Sequence, residues 1–167
     1  LKPVVTQQTG PVVQTPVMFE SATVPIYLQQ SQIVQHKAAN EIQLLEQHRW
    51  AAPLKTMLPA ALSENLSRDL GIRVINTWQQ VSPDVASYKL NVQLLEFDSY
   101  PNEHRVQLDA RWQIALPEGQ TGREGQITLS EPLGDQTVNA QVVAHNRLLA
   151  LLAKQLALKI QEFDALK

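Results

Sequence analysis

Hydrophobic positions along the chain change period several times, and each change marks an element. Residues 17–24 are rich in β-formers and stop at Pro25, which lacks a backbone donor, so a strand with a hard end is expected there. Ile26, Tyr27 and Leu28 follow as a turn carrying three apolar side chains. Residues 32–36 and 41–46 flank Ala39-Asn40 and predict a hairpin. Then the period becomes four. Leu54, Leu58, Leu62, Leu66 and Leu70 recur, with Met57 and Ala61 at i+3 positions, predicting an amphipathic helix over 54–70. Pro59 lies inside that pattern, and a proline truly interior to a helix costs about 3 kcal/mol. The helix is therefore expected to start near Thr56 or to kink at Pro59, and Gly71 closes it.

The second half reads mainly as strands. Residues 72–78 predict a strand and 81–86 a loop. Tyr88, Leu90, Val92 and Leu94 alternate, then Leu95 and Phe97 shift face, which predicts a bulge near Leu94-Leu95. A turn at 100–103 leads into Val106, Leu108, Ala110, Trp112 and Ile114, alternating with Arg105, Gln107, Asp109, Arg111 and Gln113. That is a strand with one buried and one wet face. Residues 117–122 turn it, and 124–130 return. A long helix over about 138–166 ends the chain, with Thr137 or Asp135 as its cap. Its stripe runs Val138, Val142, His145, Leu149, Leu152, Leu156, Ile160, Phe163. Strand runs separated by helices predict an α+β fold: a single antiparallel β-sheet with the two helices packed on one face. Residues 1–16, with Pro3, Gly10, Pro11 and Pro16, predict an extended tether ahead of one domain over 17–167.

Composition narrows the chemistry. The 167 residues carry a net charge of −2 and no cysteine. One core suffices at this length. Thiol catalysis and cysteine-held zinc or iron–sulfur clusters are excluded. The near-zero charge argues against nucleic acid as a partner. Glutamine is unusually common, with 20 residues, and supplies solubility without charge. No histidine pair has metal-ligand spacing. His36 and His48 flank the hairpin, and His145 falls on the apolar stripe. Glu96 and Asp98 share a strand face but need burial to split their pKa values. The glycines of GQTGREG precede a strand rather than a helix, so they form a hairpin loop and not a phosphate site. No catalytic residue, metal or cofactor is expected.

Apolar groups beside prolines are the remaining signal. Tyr27 and Leu28 follow Pro25, and Trp50 precedes Pro53 and Leu54. Aromatics on loops make interface anchors, although the same groups can cap a core at a sheet end. These six residues are the candidate partner-binding set.

The same segments carry a family resemblance. VPIYL at 24–28, a hairpin, RWAAPL at 49–54 opening a helix, a Y-x-L-x-V-x-x-x-x-F strand at 88–97 and a Val–Leu–Ala–Trp strand at 106–112 occur in that order. The set, over residues 17–166, resembles the ABC-type transport auxiliary lipoproteins. The resemblance implies a non-catalytic lipoprotein on the periplasmic side of the Gram-negative outer membrane. It implies anchoring by a lipidated cysteine expected upstream of Leu1. It also implies work with an MCE-domain protein and inner-membrane transporter subunits in intermembrane lipid transport and envelope integrity, and it leaves room for a homo-oligomer. Two other readings compete: a soluble carrier holding an acyl chain between helices and sheet, and a hydrolase using Glu96, Asp98 or a histidine.

Overall fold

The computed structural model describes residues 13–38, 41–76, 86–116 and 122–166. In chain order its elements are β1 (Val17–Thr23), β2 (Gln32–Ala38), β3 (Glu41–Arg49), helix α1 (Leu54–Leu70), β4 (Ile75–Asn76), β5 (Tyr88–Tyr100), β6 (Arg105–Ala115), β7 (Arg123–Pro132) and helix α2 (Val138–Asp164). Among the described residues the seven strands form one sheet. Both helices pack on the same face of it and against each other. The single-sheet α+β fold is thus observed.

One feature of the expected sheet is corrected. It is mixed, not wholly antiparallel: β1 runs parallel to β4 and β5, and β2 runs parallel to β5. The hairpins β2–β3, β5–β6 and β6–β7 are antiparallel. The reason is α1, which carries the chain back across the sheet so that β4 and β5 re-enter in the direction of β1. Hairpin-length links force antiparallel pairing, whereas a helical crossover does not.

β5 is the hub. It pairs with β6 from Lys89 to Tyr100, with the expected irregularity between Leu94 and Glu96. On its other side it meets β1 from Val17↔Tyr88 to Thr23↔Gln93, and β2 at Gln35↔Ser99. β1 and β2 are therefore two parts of one interrupted strand. Pro25 ends the first part, because its ring removes a ladder donor, and the chain makes a 3₁₀ turn over Ile26–Gln29 before rejoining.

Helix α1 starts at Leu54, two residues before the expected Thr56. Its cap is Pro53, whose carbonyl accepts from the backbone N–H of Thr56 at 2.9 Å and of Met57 at 3.1 Å. Pro59 consequently sits in the second turn, where it cannot donate to the Lys55 carbonyl. Gly71 closes the helix at φ 68°, a left-handed conformation that favours glycine. The leucine stripe at 54, 58, 62, 66 and 70 is wholly buried. In α2 the buried face is wider than the expected stripe. Ala144, Leu148, Ala153 and Ala157 join it, while Val138, Val142 and Phe163 are half-buried. Both proposed caps act in series: Asp135 accepts from the Thr137 N–H at 2.8 Å, and Thr137 Oγ1 accepts from the Ala140 N–H at 3.2 Å.

The end of the expected tether is part of the domain. Val13 is buried, Gln14 N–H and Thr15 Oγ1 donate to the Asp164 carboxylate at 3.0 and 2.8 Å, and the Pro16 carbonyl accepts from the Tyr88 N–H. Residues 1–12, the Ala39-Asn40 turn and most of the 81–86 and 117–122 loops lie outside the described residues. Of the strand expected over 72–78, Ile75–Asn76 is observed, and residues 77–78 lie outside the described residues.

Gly125 lies opposite Trp112 in the β6–β7 ladder, beneath the indole. A Cβ there would fall 2.8 Å from Trp112 Cζ2 and 3.0 Å from Cε2. The buried ring has to shift to admit it. Gly125→Ala should therefore destabilise the fold by about 1–3 kcal/mol, the usual cost of overpacking, as measured by urea unfolding.

Candidate partner-binding site

The interruption between β1 and β2 and the lead into α1 bring the six candidate residues beside β5, between its pairings with β1 and β2, where they have three distinct jobs. Leu28 and Leu54 are core side chains, 3% and 1% exposed. Pro25 and Pro53 start short and long helices: the Pro25 carbonyl accepts from the Leu28 N–H at 3.0 Å, as Pro53 does for α1. Tyr27 and Trp50 are half-buried at the edge of the core. Ile26, inside the same VPIYL run, is 82% exposed. The sequence pattern missed it because periodicity cannot tell which side of a single 3₁₀ turn faces water.

Tyr27 is fixed by its hydroxyl, which donates to Asp98 Oδ2 at 2.6 Å. Burial, then the bond to the Asp98 carboxylate, push the phenol well above the usual tyrosine range. Asp98 is itself 2% exposed, and its Oδ2 also meets His36 Nε2 at 3.0 Å. His36 stacks on Tyr100 with ring centroids 4.3 Å apart. The Tyr100 hydroxyl donates to Glu96 Oε1 at 2.6 Å, and the Arg105 guanidinium lies 4.2 Å over its ring. Burial and Glu96 push the Tyr100 hydroxyl up as well. A polar cluster therefore ties the 3₁₀ turn and β2 to the upper half of β5.

Trp50 is held from the other side of the same strand. Its backbone N–H donates to the Ser31 carbonyl at 2.9 Å, and its ring meets His145 edge-on at 5.7 Å. His145 is fully buried in α2, with Nδ1 2.7 Å from the Gln141 carbonyl and Nε2 3.3 Å from the Phe97 carbonyl. A neutral imidazole has one N–H, and the shorter contact assigns it to Nδ1. Burial lowers the His145 pKa, outweighing the two carbonyls that favour the charged form. Phe97 and Asp98 are consecutive, so two adjacent positions of β5 hold Trp50, by way of His145 on the helix-facing side, and Tyr27 on the other.

Asp98 and His36 meet: Asp98 Oδ2 is shared by the Tyr27 hydroxyl and His36 Nε2, while Asp98 Oδ1 and His36 Nδ1 are buried without a hydrogen-bond partner, and Glu96 is bound to Tyr100 and to Gln107 Nε2. In the β2–β3 ladder His36 stands opposite Ile42, not His48. Among the described residues no group of three or more His, Asp or Glu side chains could hold a metal ion, and no helix is long and apolar enough to cross a membrane.

The sequence profile of the family described as ABC-type transport auxiliary lipoprotein component matches residues 1–157. The chain belongs to this family. Its fold recurs in solved structures. A protein without a characterised function is 21% identical, with TM-score 0.78, over 96% of this chain and 99% of that one. Protein XCC0632 from Xanthomonas campestris is 15% identical, also at TM-score 0.78, over 100% of this chain and 99% of that one. No curated protein sequence matches the chain. Membership in a transport auxiliary lipoprotein family places the chain with envelope-associated proteins, and the candidate residues sit in segments this family profile covers.

Two outcomes follow from the geometry. Tyr27→Phe removes one of the two donors to a buried carboxylate oxygen and should cost about 1–3 kcal/mol in urea unfolding. The lowered His145 pKa means that the unfolded chain binds a proton that the folded one refuses. The His145 contribution should be fully present above the ordinary histidine value of about 6.5 and be lost as pH falls below it. Thermal unfolding should thus show a drop in Tm from pH 7.5 to 5.5 that His145→Leu flattens.

Proposed function

We propose that the chain is the non-catalytic periplasmic lipoprotein of an MCE-type intermembrane lipid transport system. It contacts an MCE-domain protein at the outer-membrane end, acts together with inner-membrane transporter subunits, and helps to maintain envelope integrity. A lipid on a residue upstream of Leu1 would hold it to the outer membrane. The observation that carries this reading is membership in the transport auxiliary family over residues 1–157, together with the rigid VPIYL and RWAAPL end. A side chain exposed on a rigid support loses little entropy when a partner covers it. Ile26 is such a group: it is exposed between Pro25 and Tyr27, and Tyr27 is bonded to β5. In this reading Pro25, Tyr27, Trp50 and Pro53 form the contact surface around Ile26, and Leu28 and Leu54 support it from the core.

Self-association has a separate support. β3 is an edge strand, paired only with β2 among the described residues, and Ile42 and Leu44 are 45% and 41% exposed on it. A long exposed edge with apolar side chains pairs readily with another strand. The acyl-carrier reading has less behind it, because Leu58, Leu62, Leu66, Leu90, Leu148 and Leu152 occupy the space between helices and sheet and are fully buried.

Affinity capture of the native lipoprotein from detergent-solubilised envelopes tests the proposal. An MCE-domain protein should be recovered with it. Ile26→Glu should abolish that recovery while leaving Tm unchanged, since Ile26 makes no core contact. Recovery of other envelope proteins without an MCE-domain protein would overturn the reading.

A further inference from the structure

The sheet face turned away from the helices is wet, and most of its polar groups are satisfied by one another. Asp109 accepts from Gln126 at 2.8 Å and from Thr128 at 3.1 Å. Glu96 accepts from Tyr100 and Gln107, and Arg105 pairs with Glu103 at 2.8 Å. Glu20 accepts from Asn91 Nδ2 at 2.9 Å.

One patch departs from this pattern. The ladders of β1, β5, β6 and β7 set two rows of polar side chains in register. The first is Ser21–Asn91–Gln113–Glu124. The second is Thr23–Gln93–Arg111–Gln126. The two rows bound a cleft of about 630 Å³. That volume lies within the roughly 300–1,000 Å³ usual for small-molecule sites. Among the described residues, Gln93, Arg111 and Gln113 have no side-chain partner, and no carboxylate lies within ion-pair reach of Arg111. Ser21, Asn91 and Gln126 in these rows are bonded to Asn91, Glu20 and Asp109, which leaves the exposed Gln93, Arg111 and Gln113 as adjacent uncommitted groups at the centre of the cleft.

We propose that this cleft binds a polyol carrying one phosphate or carboxylate group. Arg111 presents a planar fork of donors that suits two oxygens of such an anion. Each glutamine amide offers a donor and an acceptor side by side, matching hydroxyl groups that both give and take a hydrogen bond. Glu124, at the far end of the first row, accepts from a hydroxyl and repels a second anion. The same chemistry occurs in a free sugar phosphate and in the headgroup of phosphatidylglycerol. This site lies on the face away from the helices and does not depend on the partner contact proposed above.

The side-chain amide signals of Gln93 and Gln113 in the ¹⁵N-labelled protein give the test. Titration with glucose 1-phosphate should shift both signals, and Arg111→Met should weaken that binding about tenfold, or about 1.4 kcal/mol, with Tm unchanged. Gln93→Ala combined with Gln113→Ala should weaken it too. Arg111-dependent sedimentation with phosphatidylglycerol vesicles, and not with phosphatidylcholine vesicles, would support the headgroup as source. Its absence alongside glucose 1-phosphate binding would support a free ligand. The proposal is overturned if neither probe binds in an Arg111-dependent way. It is overturned as well if inorganic phosphate binds as tightly as glucose 1-phosphate and the glutamine variants change nothing, since only an anion contact would then remain.

Discussion

The pairing of β5 on both sides is the constraint from which the rest follows. One edge of this strand is occupied by β6 along its length, and the other is shared between β1 and β2. No single straight strand fills that second edge, because Pro25 ends β1 and the irregularity near Leu94 shifts the facing of β5 beyond it. The chain bridges the gap with a 3₁₀ turn that drives Leu28 into the core and leaves Ile26 in water. The exposed end and the buried strand are therefore parts of one device: the turn exists because the second edge of β5 is covered in two pieces.

The polar groups sort themselves around that device by dielectric. At the upper half of β5, Asp98 is almost wholly buried and must be compensated, so it draws in Tyr27 and His36. On the helix side, burial of His145 outweighs the two carbonyls and the Asp98 charge that favour its protonation, so its pKa is held down. Farther down the wet face the demand disappears. Arg111 and its glutamine neighbours can remain uncommitted because water satisfies them. Structural rigidity is concentrated where charge is buried, and binding capacity is left where it is not.

Much of this was legible in the residues. The period-four leucines gave α1, clean alternation gave β6, and the shift from Leu94 to Phe97 gave the bulge. The ordered set that includes the VPIYL and RWAAPL runs marked the right family. Less was legible where two residues distant in sequence decide each other's fate. Whether Tyr27 anchored an interface or capped the core was open in the sequence, because Asp98, 71 positions away, is what holds it. Nor did the hairpin pattern show its register, in which β3 places Ile42, and not His48, opposite His36.

The sequence by itself determined the elements, since side-chain period and backbone-restricting residues such as Pro25 and Gly71 act locally. It also determined that these 167 residues carry no cysteine. Only the tertiary structure decided strand direction, the division of six candidate residues into core, cap and surface, and the gathering of Gln93, Arg111 and Gln113 into one cleft. Those outcomes depend on register between strands far apart in the chain, and register is set by packing against α1 and α2 rather than by any local preference.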